Sequence, residues 1–142
     1  LSLHDALPIY GKVHSRAALD VALGLAARAG GQVIIVHLVD GPSDPRTRAE
    51  RHIAAQLMTK GALLTAGNRG VPAEALIADR PVVEGLVRLA EERGADLLVV
   101  GDSRDSALAG ALTGSVCHAL VHRTTLPVVM VPAPDEAAAK AA

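Results

Sequence analysis

The residues of this chain best suited to chemistry cluster after an apolar segment that ends at Val100. There Gly101-Asp102-Ser103-Arg104-Asp105-Ser106 forms a polar loop, and Gly114-Ser115 then leads into the main part of the last helical pattern. Backbone amides at a helix N-terminus favour anions. With no Cβ at Gly114 and a hydroxyl on Ser115, such a turn makes a site for phosphate oxygens. The same glycines, Gly101 and Gly114, equally permit tight turns with no ligand, and spacing by itself leaves both readings open.

Other reactive side chains are weaker candidates. His118 and His122 stand four apart on a helical pattern, which is metal-ligand spacing. Between them lie only Ala119, Leu120 and Val121, and no third ligand is evident, so no zinc site is expected. His37 closes a buried strand and reads as a core histidine rather than a base. Ser103 and Ser115 lack a nucleophile elbow and any His and Asp whose order proposes a triad, so serine hydrolysis is not expected. Asp102 and Asp105 could hold Mg²⁺ beside a nucleotide, though exposed loop carboxylates commonly serve solubility alone. Cys117 is the only cysteine. It excludes an internal disulfide and reads as a small buried hydrophobe, while Met58 and Met130 read as core filler.

The elements that must position the loop follow from periodicity. Leu19, Ala22, Leu23 and Ala26 predict a helix over Ser15 to Ala29, capped by Ser15 and stopped by Gly30-Gly31. Gln32 to Val39 predicts a buried parallel strand. After a loop over Pro42 to Pro45, a second helix over Arg46 to Ala66 places Ile53, Leu57 and Leu64 on one apolar face. Its remainder, Arg48, Glu50, Arg51, Gln56 and Lys60, forms a solvated face. Pro72 to Ala78 predicts a strand, and Pro81 opens a third helix with Val82, Leu86, Leu89 and Ala90 inward and Gly94 at its end. Asp96 to Gly101 is the clearest strand. A helix over Ser106 to His122 and a strand over Pro127 to Val131 complete the series, and 133–142 forms a flexible tail. Strands alternating with helices predict an α/β fold: a doubly wound, Rossmann-like parallel sheet in three layers.

The first dozen residues do not fit this plan. Pro8 stands where a central strand needs a backbone donor, and no initiating Met is present. The expectation is therefore that the first strand is damaged or replaced, with 1–12 of foreign or adapter-derived origin on a truncated gene and a domain over 13–132.

Composition narrows the function classes. Of 142 residues half are apolar, yet Tyr10 is the only aromatic, so the core is built from Ala, Val, Leu and Ile. Fourteen Lys and Arg against 15 Asp and Glu leave a net charge of −1. That balance gives no electrostatic footprint for nucleic acid, and no aromatic platform exists for stacking bases. No apolar run reaches the roughly 18–20 residues of a membrane span. With no legible signal peptide, the expected compartment is the cytoplasm.

From His14 to Pro132 the chain resembles the universal stress protein (UspA) family. The resemblance rests on His14-Ser15-Arg16-Ala17-Ala18-Leu19, on Val36-His37-Leu38-Val39-Asp40, on Ala90 to Gly101, and on Leu126-Pro127-Val128-Val129-Met130-Val131-Pro132. It implies a five-stranded parallel sheet of the adenine nucleotide alpha hydrolase-like kind between two helical layers. ATP-binding members carry Gly, two residues, Gly, nine residues, then Gly with Ser or Thr. Here Gly101, the nine residues Asp105 to Thr113, Gly114 and Ser115 stand in register, and Arg104 occupies the second Gly position. The resemblance implies that Leu38 touches the adenine and that Gly101, Ser103, Arg104, Gly114, Ser115 and Val116 line ribose and phosphates. Tyr10-Gly11 falls where ATP binders carry an Asp-Gly pair. Arg104 could block the phosphates or pair with them through its guanidinium.

The function expected is a regulatory module of the stress response, not an enzyme, that binds ATP, with or without Mg²⁺, at the loop 101–115. The family's last strand pairs across a two-fold axis, which implies a homodimer through 127–131, with neither nucleic acid nor membrane as partner. The alternative is a dimeric interaction module of the same fold without nucleotide. A weak ATPase ranks last, since no general base is apparent.

Overall fold

The computed structural model describes residues 4–8, 13–39, 44–101 and 118–132. The chain alternates β1 (His4–Pro8), α1 (Val13–Ala29), β2 (Gln32–Leu38), α2 (Pro45–Asn68), β3 (Ala73–Ala78), α3 (Val82–Arg93), β4 (Leu97–Gly101) and β5 (Val128–Val131). Residues 118–123 are also helical and belong to the helix expected before β5, whose earlier part lies outside the described residues. The strands form one sheet in the order β3-β2-β1-β4-β5, and every neighbouring pair is parallel. This is the doubly wound topology: the chain winds outward from β1 to β3, then returns to β4 and winds the other way.

Alternation along β2 divides the core into two layers. Val33 and Ile35 face α1 and α2, joined by Leu19, Leu23, Ala62, Ala66 and Val99. Ile34, Val36 and Leu38 face α3 and the 118–123 helix, joined by Leu86, Leu89, Leu98, Val100 and Leu120. A strand buried on both faces must be apolar at consecutive positions, which is why Val33-Ile34-Ile35-Val36 lacks polar alternation. No helix among the described residues is long and apolar enough to cross a membrane.

Local signals set most boundaries. Asp44 caps α2, accepting from the Thr47 amide at 2.9 Å and the Thr47 hydroxyl at 2.8 Å, and Pro45 fills the first turn where no donor is needed. Gly94 ends α3 in the left-handed conformation, φ 64°, where the loss of a Cβ removes the steric cost. Helix α1 begins at Val13, so Ser15 lies inside its first turn and is not its cap.

A strand precedes α1: His4–Pro8 holds the centre of the sheet, pairing from His4↔Gln32 to Pro8↔Val36. The ladder to β4 joins Asp5 and Ala6 only, so Pro8 stands at the strand's end and beyond that ladder, where a missing donor is tolerated. The apolar face chosen for α2 is the wrong one. Ile53, Leu57 and Leu64 are 58%, 68% and 62% exposed, whereas Ala55, Thr59, Ala62 and Ala66 face the protein. Small side chains let α2 lie close to β3 and β2. The one hydroxyl this buries, on Thr59, donates to the carbonyl oxygen of Ala55 at 2.8 Å.

Candidate functional site

All five strands run the same way, so their carboxyl ends share one rim. The winding direction reverses between β1 and β4, and the crevice outside those ends is where an open α/β sheet takes ligands. Leu38 ends β2 and Gly101 ends β4, with β1 between them. The structure thus brings these two expected site residues to the same rim, on either side of the switch point. Gly101 pairs with Val131 of β5. Ser103, Arg104, Gly114, Ser115 and Val116 lie outside the described residues, as do Asp102, Asp105 and Cys117.

Leu38 is buried, 5% exposed, and packs with the α3 layer. Gly85, in the first turns of α3, has no side chain because there is no room for one. A Cβ there would stand 2.9 Å from Leu38 Cδ1, 3.0 Å from Leu38 Cδ2 and 3.2 Å from Arg80 Cβ. Leu38, Gly85 and the Cβ of Arg80 therefore meet at one point of the rim. Arg80 extends to Glu92, Nη1 to Oε1 at 4.0 Å, and its side chain remains 40% exposed.

The end of β3 carries a polar tie that the sequence did not reveal. His52 Nε2 on α2 lies 2.9 Å from Asp79 Oδ1, one residue past the strand. The two are 27 positions apart, and no local pattern links them; the signal available was only that Asp79-Arg80-Pro81 follows a strand and so must reach the rim. At the start of α2, hydrogen bonds from Thr47 hold the Asp44 carboxyl below its ordinary range, the backbone bond first. His37, expected to be a core histidine, is half-buried near the end of β2. Met130 is 48% exposed on β5 and so is not core filler, because β5 is an edge strand with one open side. Met58 does pack against the core. Among the described residues no three His, Cys, Asp or Glu side chains converge as a metal cluster.

Fold and rim define a doubly wound α/β domain whose winding reverses between β1 and β4. The universal stress protein family model matches residues 6–132, and the chain belongs to that family. A universal stress family protein from Burkholderia pseudomallei is similar at 29% identity and TM-score 0.73, over 92% of this chain and 96% of its own. A universal stress protein solved in complex with cAMP is 28% identical, TM-score 0.74, over 94% of this chain and 98% of its own. One from Archaeoglobus fulgidus, in complex with dAMP, shares the fold at 22% identity and TM-score 0.74, over 91% of this chain and 97% of its own. No curated protein sequence is close enough to count as a match.

Proposed function

We propose that this chain is a regulatory module of the stress response that binds an adenine nucleotide, ATP in the first instance, at the rim between Leu38 and the loop 101–115. The observation that carries the reading is the placement of Leu38 and Gly101 at the carboxyl ends of β2 and β4, flanking the switch point. Leu38 supplies an apolar contact for a planar base, and Gly101 lets backbone approach the ribose without a Cβ. Gly114 and Ser115 would then take the phosphates through amides and a hydroxyl. Complexes of family relatives with cAMP and dAMP support a nucleotide of this class.

The module acts by shape rather than by reaction, as a homodimer joined through 127–131. β5 is an apolar edge strand with Met130 exposed, and pairing would remove that bare edge. Bound nucleotide raises the melting temperature by mass action, so a thermal shift with ATP tests the reading directly. An unshifted wild type would refute it.

Arg104 and Tyr10 favour a second reading, the interaction module without nucleotide. Each replaces a residue of the ATP-binding pattern, one Gly and one Asp. A shift seen only in the Tyr10→Asp, Arg104→Gly double variant would select it. Phosphate release from ATP above that of Ser115→Ala would instead reveal an ATPase.

A further inference from the structure

We propose that His118 and His122 form a two-point chelate for a tetragonal divalent transition ion, Cu²⁺ before Ni²⁺, on the outer face of the last helix. Both rings are exposed, one helical turn apart, with centroids 4.4 Å apart and planes inclined at 70°. Leu120, between them in sequence, is fully buried in the α3 layer, which turns the histidine face of the helix outward. Neither ring hydrogen-bonds or ion-pairs with a described residue. The adjacent cation, Arg123, reaches away to Glu84 of α3, Nη1 to Oε1 at 3.4 Å.

Two imidazoles one turn apart on an exposed helix face can take neighbouring positions of a square-planar or octahedral ion. The sequence argument against zinc, that no third ligand is present, therefore does not extend to an ion whose remaining positions are filled by water. Imidazole suits Cu²⁺ and Ni²⁺, and among divalent ions Cu²⁺ binds most tightly to a given nitrogen site.

The test uses the full chain titrated separately with Cu²⁺, Ni²⁺ and Zn²⁺ by calorimetry, with electron paramagnetic resonance of the Cu²⁺ form. Expected are one strong Cu²⁺ per chain with two nitrogen ligands in its spectrum, and Ni²⁺ bound at the same place. His118→Ala and His122→Ala each weaken Cu²⁺ by at least about tenfold, some 1.4 kcal/mol, while His52→Ala changes nothing. His118 and His122 are open to solvent and His52 partly so, and circular dichroism confirms that each variant remains folded. Cu²⁺ affinity unchanged in both helix variants, a one-nitrogen spectrum, or Zn²⁺ binding tighter than Cu²⁺ would overturn the proposal.

Discussion

Gly85 on α3 and Leu38 at the end of β2 are in mutual contact so close that a single added carbon on Gly85 would stand 2.9 Å from Leu38 Cδ1. The residue that yields is Leu38, since the far end of a leucine moves more easily than a helix backbone. Gly85→Ala therefore trades about 0.5–1 kcal/mol of helix propensity against a comparable strain, and overall stability changes by less than about 1 kcal/mol. The rim changes more than the fold. ATP affinity, measured by calorimetry on a variant of near wild-type melting temperature, is expected to fall severalfold as Leu38 is displaced.

The two apolar faces of α2 and α1 predict opposite responses to truncation. Leu23 is fully buried in the layer beneath α1, and Leu23→Ala is expected to cost about 2–5 kcal/mol. Leu57 is 68% exposed, and Leu57→Ala should stay within about 0.5 kcal/mol. Urea unfolding of the two variants measures the difference.

Asp44 gives stability an acid limit. Hydrogen bonds from Thr47 favour its ionised form and lower its pKa in the folded chain. Its contribution is full above the ordinary carboxylate range and is lost as pH falls through the lowered folded value. Asp44→Ala should therefore melt below wild type at neutral pH, with the gap closing as the solution is acidified. Asp44→Asn, which keeps a capping oxygen without the charge, should lie between them and change less with pH.

The edge strand offers a direct test of the dimer. Met130→Asp places a charge on the exposed side of β5, where Met130 is 48% exposed in the single chain. Sedimentation at micromolar concentration should show wild-type dimer and variant monomer, with little change in secondary structure. A wild-type monomer would remove the proposal.

The tie between His52 and Asp79 joins α2 to the residue after β3, with both side chains partly open to solvent. Asp79→Asn should cost no more than about 1 kcal/mol by chemical denaturation, because an exposed pair gains little over its hydration.

Much of this architecture was legible in order along the chain. The parallel strands at Val33-Ile34-Ile35-Val36 and Leu97-Leu98-Val99-Val100, the helix ends at Gly30 and Gly94, and the rim position of Gly101 all follow from local pattern, because backbone hydrogen bonding and turn sterics act over a few residues. What pattern left undecided needed neighbours in space. Helix α2 has two faces able to be buried, and only the nearness of β3 and β2 selects alanines over Ile53, Leu57 and Leu64. Pro8 looked unfit for a strand until the ladder to β4 ended at Ala6. The meeting of Leu38, Gly85 and Arg80, and the pairing of His52 with Asp79, join residues tens of positions apart. Burial and contact at such separations are properties of packed layers, and no single segment of the chain contains them.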